Sequence, residues 1–331
     1  ILLAFDRDGE PVTLKDLKVQ GAVTALLQNA IHPNLVQSFE GVPVFVHGGP
    51  FGNVSLGCSS LIATKTALKL ADYVVTEAGF ATELGAEKFF DIKCRVGGLK
   101  TSAVVIVATL KALRLHGGAK DYENKDMASA INGLRNLEKH IENIRRFGAP
   151  FLIAINRFKT DTDDELMEII KRLEAKDIPA FIADVRDKGG GGGLEIAEKL
   201  IELCKHKGRF KYLYPLNIPL KGKIKIIAKE MYGADDALFT QDAENDMADM
   251  ERCGYNTLPI CVAKTPKSLS DNAALFGRPE NFKITVRRVL PVTGAGFLVA
   301  ICGNILLMPG FPEHPMAEKI EVDQEGNIIG L

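Results

Sequence analysis

Apolar positions recur along this chain with two different periods, and segments of the two kinds interleave. Short apolar runs predict strands at residues 42–47 (VPVFVH), 73–76 (YVVT), 103–110 (AVVIVATL), 151–155 (FLIAI) and 180–185 (AFIADV). Apolar residues at helical spacing predict helices at 59–70, within 122–146 (LRNLEKHIENIRR), after Thr162 and at 194–205. Thr162 is placed to cap its helix, with Glu165 three residues on as the partner of a capping box. The opening residues, ILLAF, also read as a buried strand.

Alternation of strand and helix predicts an α/β fold, a mostly parallel sheet with flanking helices. Beyond about residue 210 the texture changes. Helices near 221–231 and 240–252 precede a β-rich tail (ITVRRV, GFLVAICG), which predicts a smaller C-terminal α+β region. These shifts divide the chain into residues 1–120, 121–210 and 211–331. No internal repeat is present.

Composition narrows the class. The 331 residues are 46% hydrophobic and 25% charged with a formal net charge of −1, so no global basic field favours nucleic acid or an anionic membrane. An anionic ligand would have to be held locally. Six cysteines (Cys58, Cys94, Cys204, Cys253, Cys261, Cys302) lie far apart without metal spacing, and are expected to be reduced thiols of a cytoplasmic protein. No apolar run approaches the ~20 residues of a membrane span. The chain opens without methionine in a strand-like run, which raises the expectation that further sequence precedes Ile1.

In open α/β sheets, ligands gather where loops leave the carboxyl ends of strands. Four such loops are ligand-like: HGGPFGNVSLGCSS (47–60), TEAGFATELGAEKF (76–89), NRFKTDT (156–162) and VRDKGGGGG (185–193). The five glycines sit between a strand and its helix. They are either an anion cradle of free N–H groups, with Lys188 adding charge, or a tight turn that needs positive φ. Their spacing matches neither the Walker nor the dinucleotide pattern. His47 and His116, each beside Gly-Gly, are expected to be hydrogen-bonded structural histidines. Glu77, Glu83 and Lys88 are expected to form surface ion pairs, and Asp161, Asp163 and Asp164 to serve a helix N-terminus. No catalytic triad or metal site is recoverable from spacing.

PVFVHGGPFGN, YVVTEAGF, LGAEKFFDIKCR, ATLKALRLHGG, NRFKTDT, LPICVAKT and GAGF…MPGFP occur in the order found in formate–tetrahydrofolate ligase (10-formyltetrahydrofolate synthetase), which this sequence resembles from residue 1 to 331. The resemblance implies a P-loop NTPase-like family fold, of which these residues form an incomplete part. Residues 1–120 would then be the remainder of a nucleotide-binding domain and 121–210 a folate-pocket domain. It implies that ATP phosphorylates formate, and that N10 of tetrahydrofolate then attacks formyl phosphate. Mg²⁺, a monovalent cation (K⁺ or NH₄⁺) and a homotetramer come with the family. By the same resemblance Gly48, Gly49, Pro50 and Phe51 lie beside the nucleotide, and Gly79 and Phe80 near formyl phosphate. Phe158, Lys159, Ile182 and Arg186 fall in the folate pocket, and Lys188, Gly189 and Gly190 open the anion loop.

The sequence also departs from the family. Its phosphate loop lies upstream of this region. Leu56 replaces a histidine, Lys159 a proline, Arg186 the folate-stacking tryptophan and Gly191 a glutamate. Two functions are therefore carried forward. One is the ligase, with the isolated chain expected to be inactive for want of the phosphate loop. The other is a non-catalytic paralogue that binds folate or nucleotide, or acts as a scaffold. The ligase reading expects Gly49, Phe80, Phe158 and Lys188 to share one crevice.

Overall fold

The structure is a computed structural model and describes residues 1–49, 51–206, 208–305 and 312–330. Pro50 and most of the MPGFP segment lie outside the described residues. The chain opens with β1 (Leu2–Phe5) and β2 (Pro11–Thr13), an antiparallel pair in which Leu2 alone is buried. Then come α1 (Gln20–Leu26), β3 (Asn34–Gln37), β4 (Pro43–Val46) and α2 (Leu61–Leu70). Ser60 caps α2, its Oγ accepting from the Ala63 N–H at 3.0 Å.

Two predicted strands come out differently. Residues 42–47 do contain a strand, but β4 pairs antiparallel with β3 in an exposed hairpin outside the parallel sheet. Its partner strand lies only five residues away across a turn with Gly41 at φ +79°, and so local a pairing costs less closure entropy than a crossover. Residues 73–76 form no strand, because β-branched residues favour one only where a neighbouring edge exists to pair with.

Residues 82–97 form one helical run. π-Helical turns at Thr82–Ala86 and Phe89–Cys94 lead into α3 (Arg95–Gly97). The parallel sheet follows: β5 (Val104–Ala108), β6 (Phe151–Asn156) and β7 (Ala180–Ala183), in that spatial order. Crossovers run through α4 (Leu110–His116), α5 (Met127–Phe147) and α6 (Asp163–Glu174). Beyond β7 the chain makes α7 (Val185–Lys188), a 3-10 turn of the five glycines, and α8 (Leu194–Lys205).

The C-terminal part contributes α9 (Leu220–Ile227), β8 (Asp236–Phe239), α10 (Gln241–Arg252), β9 (Ile260–Ala263), β10 (Lys283–Val292) and β11 (Phe297–Cys302). These strands form a mixed sheet ordered β8-β10-β11-β9, in which only β10 and β11 run antiparallel to each other. The molecule is therefore α/β, as the alternation of periods predicts. Buried apolar residues of both larger sheets belong to one continuous cluster, from Ile153 and Ile155 through Ile144 and Ile224 to Val262 and Leu298. No helix among the described residues is long and apolar enough to cross a membrane.

Candidate functional site

The carboxyl ends of β6 and β7 are neighbours, with Asn156 paired to Ala183, and the chain turns outward at both. At the first turn Phe158 is half-buried, and the Lys111 ammonium of α4 stands 4.8 Å from its ring centre. The turn is tied down from below. Asp161 accepts the Phe158 N–H at 2.9 Å, and the guanidinium of Arg114, wholly buried, lies 3.3 Å from Asp161 and 3.1 Å from Glu165. Asp161 therefore braces the turn instead of serving the helix N-terminus. Glu165 forms no capping box with the backbone, since Arg114 claims its carboxylate and the Thr162 hydroxyl donates to it at 3.2 Å.

At the second turn Asp184 Oδ2 lies 2.9 Å from the Lys188 ammonium and 3.6 Å from Arg157, so one carboxylate links the two loops. Lys188 is thereby engaged in an ion pair. Gly189 has φ +55°, and a Cβ on Gly192 would fall 2.2 Å from the Asp184 carbonyl, so these two positions need glycine for geometry. A Cβ on Gly191 would meet nothing within 4 Å, so this position has room for a side chain. The turn holds an anion of the chain's own: Glu40, at the tip of the β3–β4 hairpin, accepts the Gly190 N–H at 2.8 Å. Lys159 and Arg186 are exposed beside these turns, and Ile182 is half-buried on β7.

The loops at 47–60 and 76–89 also meet. The Gly79 N–H donates to the Gly57 carbonyl at 2.8 Å, and a Cβ on Gly52 would stand 3.0 Å from the Phe80 ring. Phe80 itself has φ +67°, a conformation that costs a non-glycine residue roughly 1 kcal/mol or more. The 52–53 backbone is held by Lys88, whose buried ammonium donates to the Gly52 carbonyl at 2.8 Å and the Asn53 carbonyl at 2.9 Å. Gly48 and Gly49 border a cavity of about 490 Å³. Phe158 and Lys188 are not among its lining residues. The loops thus meet in two pairs, 47–60 with 76–89 and 156–162 with 185–193, and of the four marker residues only Gly49 lines this cavity, so it is not the common crevice expected of them.

Behind the 76–89 loop lies a layer of buried charge that corrects the surface reading of Glu83 and Lys88. Glu83 is 2% exposed and lies 3.3 Å from Lys264 and 3.5 Å from His140. Burial pushes its carboxyl upward, but Lys264, then His140, outweigh it and hold the group below its ordinary value. Glu87 and Asp91, one turn apart and both fully enclosed, go the other way. Burial raises Glu87 well above the usual carboxylate range, with Asp91 adding to the shift. Burial likewise brings Asp91 up to about 6, against the Leu213 N–H and Arg95 that favour its charge. The two histidines are structural, as their settings suggested. His47 bonds Ser60 and the Ala30 carbonyl at 2.7 and 2.8 Å, and His116 accepts the Gly277 N–H at 3.0 Å.

Among the described residues no cluster of three or more His, Cys, Asp or Glu is arranged to hold a metal ion. Sequence reasoning missed Arg114, Lys264 and Glu40. A charged residue inside an otherwise apolar helical face was the available signal for Arg114, and none was available for Glu40.

Fold and loops together define an α/β protein in which the turns leaving the carboxyl ends of β6 and β7 are tied to each other. The sequence model of the family described as formate–tetrahydrofolate ligase matches residues 1–331, the whole of the chain. The chain belongs to the formate–tetrahydrofolate ligase family.

Proposed function

We propose that this chain supplies the folate-binding and formyl-transfer surface of an ATP-dependent formate–tetrahydrofolate ligase. The observation that carries this reading is the pairing of the Phe158 turn with the glycine turn through Asp184, at the carboxyl edge of β6–β7. On this reading the pterin packs on the Phe158 ring, with Arg186, Lys159 and Ile182 at its border. Arg186 stacks where relatives use an aromatic plane. Gly79 and Phe80 stand beside the formyl group, and Gly48, Gly49 and Phe51 beside the nucleotide.

Formate is a poor electrophile until phosphate becomes its leaving group. When the tetrahydrofolate amine attacks formyl phosphate, its nitrogen–carbon bond forms as the carbon–oxygen bond to phosphate breaks. The protein's part is to orient the amine, exclude water and offset the negative charge on the leaving phosphate. The described residues hold no metal cluster, so Mg²⁺ would arrive with ATP's own phosphates. The 331 residues contain no G-x-x-x-x-G-K-[ST] loop, so the cradle for those phosphates is not within this sequence. A cytoplasmic homo-oligomer fits the family and remains part of the proposal.

One observation favours the non-catalytic alternative: Glu40 already occupies the Gly190 N–H that an anionic ligand would use. Calorimetric titration separates the two. Tetrahydrofolate should bind the chain, Phe158→Ala should weaken it about tenfold to a hundredfold, and Arg186→Trp should strengthen it by a similar factor. Absence of tetrahydrofolate binding by the unmodified chain would overturn the reading. Silence toward both tetrahydrofolate and ATP would leave a scaffold.

A further inference from the structure

Glu40 stands at the tip of the β3–β4 hairpin, and its side chain reaches a turn 150 residues away in sequence. Its Oε1 accepts the Gly190 N–H at 2.8 Å. Among the described residues no cation lies within ion-pair distance of Glu40, because Lys188, beside the same turn, is engaged by Asp184. The seat suits a flat carboxylate. A Cβ on Gly189 would fall 2.4 Å from Oε1 and one on Gly190 3.0 Å from Oε2, so both oxygens lie over backbone that glycine leaves clear. The turn leads into α8, twelve residues long, whose N-terminal end favours negative charge.

Little else holds the hairpin tip in place. All four residues of β3 and three of the four in β4 are exposed. Phe39, next to Glu40, is wholly exposed, so apolar burial does not fix the arm. The hairpin nevertheless keeps its own shape. Four residue pairs join its strands, the Ser38 N–H donates to the Val42 carbonyl at 2.9 Å, and the Gly41 N–H donates to the Ser38 carbonyl at 3.0 Å. The tip can therefore leave the glycine turn as a unit. It loses one charged hydrogen bond and uncovers no buried residue of β3 or β4.

We propose that the Glu40–Gly190 contact is an autoinhibitory latch: Glu40 holds the place of a ligand carboxylate at the glycine turn, and a ligand bearing one binds by displacing it. The proposal rests on the reading of this edge as the folate surface. The glutamyl tail of tetrahydrofolate carries carboxylates, and formate is the other carboxylate of that reaction. Apparent affinity falls by the fraction of molecules in which the seat is open. An exposed charged hydrogen bond keeps such a latch shut in about three to ten molecules for each open one.

The test is calorimetric titration of the whole chain with tetrahydrofolate, with tetrahydrobiopterin, which has no carboxylate, and with sodium formate. Glu40 is exposed, so neither Glu40→Gln nor Glu40→Ala endangers the core. Both variants should bind tetrahydrofolate about threefold to tenfold more tightly than the unmodified chain, with tetrahydrobiopterin unmoved. Asp187→Asn removes an exposed carboxylate of α7 that makes no bond to Gly190, and should leave tetrahydrofolate binding as it was. An equal gain in Asp187→Asn would mean general repulsion of anions and would overturn the latch. Formate binding that tightens in both Glu40 variants, with tetrahydrofolate unmoved, supports the latch with formate as the carboxylate. Tetrahydrofolate and formate binding that are both unchanged or weaker in the Glu40 variants overturn it and leave the folate reading standing. Absence of tetrahydrofolate binding by the unmodified chain removes the folate reading instead, and the formate titration then decides the latch alone: tightening supports it, and no change overturns it.

Discussion

Replacing Arg114 with methionine tests how the Phe158 turn is held. Arg114, Asp161 and Glu165 are all wholly buried, at 3.3 and 3.1 Å separation. Two unit charges about 4 Å apart attract by about 4 kcal/mol at an effective dielectric of 20. Removing the cation leaves two carboxylates facing each other without water. Asp161 keeps the Phe158 N–H and Glu165 keeps the Thr162 hydroxyl, which is partial compensation. Breaking a buried pair of this kind costs about 3–5 kcal/mol, a large part of the roughly 5–15 kcal/mol by which native proteins are stable. With a urea m-value of about 3 kcal/mol/M, the midpoint should fall by about 1–1.7 M. Circular dichroism follows the transition, and tetrahydrofolate affinity should fall with it as Asp161 releases the turn. Adding Glu165→Met to Arg114→Met should recover part of the loss, since fewer uncompensated charges remain buried. A cost below 1 kcal/mol for Arg114→Met would refute the reasoning, because the pair would then be screened as surface pairs are.

Gly85→Ala would place a methyl 1.8 Å from the Gly79 carbonyl oxygen, so the 78–79 backbone must move by more than 1 Å. The expected cost is about 1–3 kcal/mol in a denaturant melt, with any formyl-transfer activity lost ahead of folding. Stability should also depend on pH through the buried groups. Glu87 and Asp91 have raised carboxyl pKa values, so the folded state keeps protons that the unfolded chain releases near pH 4. The stability they contribute is fullest below that pH and is lost as pH rises through about 6 for Asp91 and beyond for Glu87. Lys139 and Lys223, each lowered by burial to about 8, act oppositely, so stability should rise between about pH 8 and 10.5. Thermal melts across pH 4–10 check both limbs, and Glu87→Gln should flatten the acid one. An unchanged profile in that variant would show that Glu87 does not titrate as its burial requires.

The elements legible in the sequence were those whose period is local. β5, β6 and β7 follow from short apolar runs, and α5, α6 and α8 from their amphipathic spacing. What could not be read depends on distant partners. The run at residues 42–47 says strand, but nothing in it says that residues 34–37 will pair with it. Glu83, Glu87 and Asp91 recur every four residues, as on a solvated helix face, yet the π-helical run carries them inward. They are covered by groups such as Tyr214, Tyr232 and Lys264, more than a hundred residues away in sequence. Arg114 and Lys88 fall within the ATLKALRLHGG and LGAEKFFDIKCR segments, but nothing in those strings says that one will brace the Phe158 turn and the other the 52–53 backbone.

The five glycines separate into positions with different physical demands. Gly189 answers to backbone conformation and Gly192 to the Asp184 carbonyl, and an alanine at either would strain the turn. At Gly191 no such constraint operates, since a Cβ there would meet nothing within 4 Å. Glu40 brings a carboxylate back to the same turn from the other end of the β3–β4 hairpin, onto the Gly190 N–H. The base of that hairpin runs into His47, on the wall of the cavity beside Gly48 and Gly49, so the arm from Glu40 to His47 ties the glycine turn to the 47–60 loop.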